Sequence, residues 1–150
     1  MTLPRSIGVL AAVSTAVLLA AGTLFVGVAH AQPTAHLEPV PVRPSPTCGG
    51  TVGAEAMVTP VQIDYEVENG VRVAVNYDAG VYDGSCSLTV QAHWRNLDTG
   101  ASGSGDITAV SRIDGHYGFI GYANTTFYTG PGTVIVTLSS HPGAELTVTP

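Results

Sequence analysis

Residues 61–77, VQIDYEVENGVRVAVNY, alternate apolar and polar side chains with a period of two. Val61, Ile63, Tyr65 and Val67 fall on one side, with Gln62, Asp64 and Glu66 on the other. Beyond Gly70, Val71, Val73, Val75 and Tyr77 alternate with Arg72, Ala74 and Asn76. Successive side chains of a pleated strand point to opposite faces, so the stretch predicts two strands, each with one wet face. An Asn69-Gly70 turn of two residues would set Val67 opposite Arg72 and mix the faces. A three-residue loop, Glu68-Asn69-Gly70, pairs Val67 with Val71, Tyr65 with Val73 and Ile63 with Val75. It also brings Glu66 opposite Arg72 on the wet face. The three-residue loop is therefore expected.

The same period continues downstream. In residues 85–96, Cys86, Leu88, Val90, Ala92 and Trp94 point one way, and Ser87, Thr89, Gln91, His93 and Arg95 the other. Asp114-Gly115 is a good two-residue hairpin turn. That turn aligns Ile113 with His116, Ala109 with Ile120 and Ile107 with Tyr122 on a core face. Val110, Arg112, Tyr117 and Phe119 are then left together on the opposite face. Two further strands, 132–139 and 144–149, flank the turn SHPG. About seven short strands separated by Gly, Pro and Asp turns predict an all-β chain, an immunoglobulin-like antiparallel β-sandwich, with a small β-barrel as the alternative. The resemblance to immunoglobulin domains is architectural. Trp94 shares a strand with Cys86 instead of following on the next, and DGHYG at 114–118 is similar only in outline to that family's Asp-x-Gly-x-Tyr corner.

The first residues set the compartment. Residues 1–31 read as a signal peptide: Arg5 gives a positive start, an uncharged apolar run follows, and Ala29-His30-Ala31 supplies the small-x-small pattern of a cleavage site. The alternative is an uncleaved anchor, since the run is long enough to span a bilayer. Residues 32–47, QPTAHLEPVPVRPSPT, hold five of the ten prolines and read as a disordered spacer before a single domain over 48–150. Cys48 and Cys86, the only cysteines of a chain read as secreted, predict one disulfide. Closing a loop of about 39 residues stabilises by roughly 4 kcal/mol on chain-entropy arguments.

Beyond the leader the chain has eleven acids against four arginines and no lysine, a net of −7. That charge argues against nucleic acid and against anionic membrane surfaces, which need clustered cations. The absence of lysine with abundant Ala, Gly, Val and Thr suggests a GC-rich bacterial genome.

One motif points to chemistry. Residues 96–102, NLDTGAS, resemble the active-site loop of aspartic proteases of the pepsin and retroviral type. The resemblance implies that Asp98 is one of two aspartates that share a proton and activate water. With a single Asp-Thr-Gly, only a homodimeric, retropepsin-like plan is available. The chain departs from that family in two ways. Arg95, Asn96 and Leu97 stand where the family has a buried apolar run, and the only apolar-apolar-Gly element, Phe119-Ile120-Gly121, sits close by across the next hairpin. The Gly/Ser run from Gly100 to Gly105 reads instead as a mobile surface turn.

Other constellations are weaker. His36, His93, His116 and His141 fall in separate segments without ligand spacing and are expected on exposed strands and turns, so no metal site is expected. Asp78 and Asp83 do not match a calcium-loop signature. After the leader only Met57 remains, which disfavours a Met-rich copper carrier. Asn124-Thr125-Thr126 is a formal glycosylation sequon. The expectation is a secreted or cell-envelope, non-catalytic module without cofactor. It is expected to be monomeric and to bind an extracellular protein or glycan. Arg112, Tyr117, Phe119 and Val110 are its candidate contact residues, because arginine and aromatics are enriched at interface hot spots. A purely structural secreted domain and a protease using Asp98 are the alternatives.

Overall fold

The computed structural model describes residues 34–113, 115, 116, 118 and 120–150. The expected leader, residues 1–31, lies outside them, as do Asp114, Tyr117 and Phe119. The described chain is all β. Its strands are β1 (Thr34–Val42), β2 (Gly50–Ile63), β3 (Glu66–Asp78), β4 (Asp83–Asn96), β5 (Ser102–Arg112), β6 (Tyr122–Phe127), β7 (Val134–Leu138) and β8 (Glu145–Val148). They form two four-stranded antiparallel sheets, β1-β2-β3-β6 and β5-β4-β7-β8, packed as a β-sandwich. Between the sheets lie Val52, Ala54, Ala56, Val71, Val73, Val75 and Tyr77 from the first, and Val90, Ala92, Ile107, Ala109, Val134, Val136, Leu146 and Val148 from the second.

The expected alternation of β4 holds. Cys86, Val90 and Ala92 are buried, Leu88 and Trp94 are half-buried on the same face, and Ser87, Thr89, Gln91, His93 and Arg95 are exposed. Cys48 and Cys86 form the expected disulfide, with Cα atoms 5.4 Å apart. It ties the β1–β2 connection to the second sheet. Tyr77, wholly buried behind it, donates its hydroxyl hydrogen to the Cys48 carbonyl at 2.8 Å. Burial pushes its phenol pKa up.

Four expectations need correction. First, the proline-rich stretch is not a disordered spacer, because residues 34–42 form edge strand β1, which makes eight strands instead of about seven. Ala35, Leu37, Val40 and Val42 all pack against the core. Their alternation is interrupted by a bulge between Leu37 and Val40, which adds one residue and flips the parity. Proline is tolerated at a bulge and on an edge strand, where a missing N–H need not break the ladder.

Second, the β2–β3 hairpin turns at Asp64-Tyr65, not at Glu68-Asn69-Gly70. Ile63 pairs with Glu66, and thirteen pairs run back to Thr51 opposite Asp78. Asp64 takes the left-handed conformation at the turn (φ 54°), which Asp tolerates better than most residues. The strand starts at Gly50, eleven residues before Val61, and the longer register sets Val52, Ala54, Ala56 and Val58 opposite Tyr77, Val75, Val73 and Val71. Burying those pairs outweighs a glycine-preferred turn. Tyr65 and Val67 consequently stand clear of the core.

Third, residues 106–123 are not a two-residue hairpin. The one bridge pairs Ile113 with Ile120, and the Gly121 N–H donates to the Arg112 carbonyl at 3.1 Å, four residues away from the expected register. β6 then crosses to the other sheet and pairs with β3. Of the five apolar residues expected in the core, Ile107 and Ala109 are buried, Ile120 is half-buried, and Ile113 and Tyr122 are exposed.

Fourth, the Gly/Ser run is ordered strand from Ser102 onward. Gly103 and Gly105 face inward beneath two large rings. A Cβ on Gly103 would come within 2.7 Å of Trp94 Nε1, and one on Gly105 within 3.0 Å of the Phe127 ring. Those rings pack at a centroid distance of 6.4 Å. The glycines are there to make room.

Candidate functional site

Three connections meet at one end of the sandwich: the β2–β3 hairpin, the β4–β5 turn (residues 97–101) and the β6–β7 segment (residues 128–133). Asn96, the last residue of β4, fastens two of them. Its side chain is fully buried and makes four hydrogen bonds. Nδ2 donates to the Thr129 and Pro131 carbonyls, both at 2.9 Å, and Oδ1 accepts the Asp98 and Thr99 N–H groups at 2.9 and 3.1 Å. Backbone bonds from Gly100 N–H to the Asn96 carbonyl and from Leu97 N–H to the Thr133 carbonyl close the turn.

Asp98, the aspartate of the protease-like motif, belongs to this fastening. Its Oδ2 accepts the Thr133 N–H at 2.7 Å. Gly132 (φ 117°) leaves the room this requires, since a Cβ there would lie 2.5 Å from Asp98 Oδ2. The Asp-Thr-Gly turn thus uses its carboxylate to hold a neighbouring backbone segment.

The third connection is joined through Tyr128, whose hydroxyl donates to Glu68 Oε2 on β3 at 2.6 Å. That bond, and the proximity of the Glu68 charge, push the Tyr128 phenol pKa above its ordinary value. The three connections are therefore tied in series: hairpin to Tyr128, then through residues 129–133 to Asn96 and Asp98. Each also presents an apolar side chain to solvent, namely Tyr65 (99 % exposed), Val67 (69 %), Leu97 and Tyr128 (both 48 %).

Of the four residues of the contact patch expected from sequence, two are described. Val110 is half-buried opposite Ser87 and Arg112 is exposed opposite Asp83, both on β5. Tyr117 and Phe119, their expected companions, lie outside the described residues. The histidines are separate. His36 sits 3.5 Å from Glu55, and His93 Nε2 is 3.0 Å from Gln91 Oε1. His141 was expected on an exposed turn but is buried, with Nε2 3.1 Å from the Glu38 carbonyl in the β1 bulge and Nδ1 2.9 Å from Ser140 Oγ. Asp78 and Asp83 each accept an N–H two residues on, from Gly80 and Ser85. Among the described residues no three His, Cys, Asp or Glu side chains converge to hold a metal.

A concavity lies on the outer face of the first sheet. It is an open groove of about 480 Å³ lined by His36, Thr51, Gly53, Glu55, Asn76 and Asp78, with Gly118 and Ile120 at its rim. Its lining is mixed, with Leu37, Pro39, Ala54 and Ile120 alongside these polar side chains.

Sequence reasoning missed the loop end because the hairpin was folded back at the wrong turn and a buried Asn looks like any polar strand terminus. Comparison of the chain with protein-family models, curated proteins and solved structures returned no match.

Proposed function

We propose that the chain is a secreted, non-catalytic binding module that recognises an extracellular or cell-envelope protein through the loop end of its sandwich. The observation that carries this reading is the Asn96–Asp98–Tyr128 tie. It holds three connections in one arrangement while each offers an apolar side chain to solvent. Contact residues fixed in advance lose little freedom on binding, so more of the contact energy appears as affinity. Loops carried on a rigid sandwich are a common site of recognition. The disulfide and the absence, among the described residues, of a helix able to cross a membrane are compatible with an extracellular location.

The groove supports a second reading, a glycan held by His36, Glu55 and Asn76. One experiment separates the two. Fluorescently labelled mature protein is bound to envelope preparations that have been treated with protease or with periodate. A protein partner gives binding that protease abolishes and Leu97→Arg weakens. A glycan gives binding that periodate abolishes and Gly53→Thr weakens. Gly53→Thr fills the groove without strain, because a Cβ at that position comes no closer than 3.5 Å to any neighbour. Binding unaffected by all four manipulations would refute both.

A further inference from the structure

Among the described residues, the β2–β3 hairpin outruns the sheet that carries it. β1 starts at Thr34 opposite Met57, and the last pair of β3 with β6 is Val71 with Phe127. Beyond Val58 and Val71 the two strands continue as a ribbon of five residues each, 59–63 and 66–70, closed by Asp64 and Tyr65. At about 3.4 Å per residue the ribbon projects by roughly 17 Å. Its base is braced. Glu68 accepts the Tyr128 hydroxyl, and Gly70 lies so close to the Phe127 carbonyl that a Cβ would sit 2.5 Å from it.

The tip combines two features. Tyr65 is 99 % and Val67 69 % exposed, so this finger presents the most exposed large apolar side chains of the described residues. Interleaved with them are Asp64, Glu66 and Glu68, and residues 59–70 contain no lysine or arginine. An isolated apolar tip would suit a membrane, but carboxylates at every second position are repelled by an anionic bilayer. They equally disfavour a second copy, since two such tips would meet with like charges opposed. An aromatic anchor flanked in sequence by the carboxylates Asp64 and Glu66 is complementary to an apolar pocket rimmed by cations.

Resting on the loop-end reading, we infer that this finger is the anchor of the interface, with Tyr65 inserting into an apolar pocket of a partner protein whose rim carries lysine or arginine. Tyr65 supplies the buried contact, a tyrosine being among the residue types that most often dominate interface energetics. Asp64 and Glu66 steer the encounter, which makes association faster at low ionic strength than at high.

The test places the photo-reactive amino acid p-benzoylphenylalanine, in the full chain made by its own producing cell, at Tyr65, at Leu97 and at Thr89 on the outer face of β4. The protein cross-linked from position 65 is identified, purified and titrated against unmodified chain, Tyr65→Ala and the double variant Asp64→Asn/Glu66→Gln. All five substituted positions are exposed, so folding is undisturbed, and far-ultraviolet circular dichroism confirms this. The expected result is a protein adduct from position 65 and none from 89. Tyr65→Ala should weaken binding by roughly thirtyfold. The neutralised variant should bind several-fold more weakly at low salt, with the salt dependence of wild type flattened. An adduct from Leu97 but not from Tyr65, or binding indifferent to salt, overturns the finger as anchor and leaves the loop end standing. Adducts only from Thr89, only to a second copy, only to lipid, or none at all overturn both readings.

Discussion

Replacing Asn96 with alanine should cost the domain about 3 kcal/mol. The side chain is wholly buried and makes four hydrogen bonds, two as donor to Thr129 and Pro131 carbonyls and two as acceptor from Asp98 and Thr99. Each such bond is worth roughly 1 kcal/mol net, and a buried group left without a partner costs about 1–3 kcal/mol. The Asp98 and Thr99 N–H groups sit in an exposed turn, where water replaces Oδ1 at little loss. The Thr129 carbonyl bond is fully buried, so its loss and the cavity left by the amide dominate. For a domain of this size, about 3 kcal/mol lowers Tm by roughly 10–15 °C. The assay is urea unfolding followed by the fluorescence of Trp94, the single tryptophan, with Tm measured by calorimetry. A loss below about 1 kcal/mol with an unchanged denaturant slope would refute the claim that Asn96 fastens the loop end. So would a loss shared equally by Asp98→Ala, which removes only one exposed bond.

Further outcomes follow from other contacts. Gly121→Ala should destabilise by about 3 kcal/mol or more, because φ is +55° and the new Cβ would fall 1.8 Å from the Tyr77 carbonyl oxygen. A thermal melt with Tm within a few degrees of wild type would contradict that geometry. Removing the disulfide with Cys48→Ala/Cys86→Ala should cost roughly 4 kcal/mol in urea unfolding, and a smaller loss under about 1 kcal/mol would show that the bridge constrains little. Tyr128 should ionise above the ordinary tyrosine range, read as tyrosinate absorbance, and Glu68→Ala should return it toward that range. With its folded pKa raised, Tyr128 contributes stability that is present below its unfolded pKa and lost as pH rises through the folded one. An unchanged titration in Glu68→Ala would refute the bond.

Legibility in the sequence tracked whether parity stayed intact. β4 keeps one parity from Cys86 to Trp94, so its faces and the inward cysteine were readable from spacing alone. In β1 the bulge divides Ala35 and Leu37 from Val40 and Val42, and two half-patterns of opposite parity look like none. β2 carries two apolar runs of opposite parity, 52–58 and 61–63, and only one can face the core. The longer run wins because it zips against all of Val71–Tyr77, and the shorter run is carried out onto the finger. Nothing local announces that choice, which depends on pairing across the whole hairpin. The Asp98 motif was legible as a turn. Its partner Thr133 is 35 residues away, and no spacing rule links the two.

Pro39 and Pro41 have a consequence on an outermost strand. An exposed strand edge offers a row of unpaired amides to any neighbouring chain, and natural sheets blunt such edges with prolines, bulges and charge. β1 carries all three along nine residues: Pro39 and Pro41, the kink between Leu37 and Val40, and Glu38. A stretch whose composition suggests looseness thus resists edge-to-edge pairing with a second sheet.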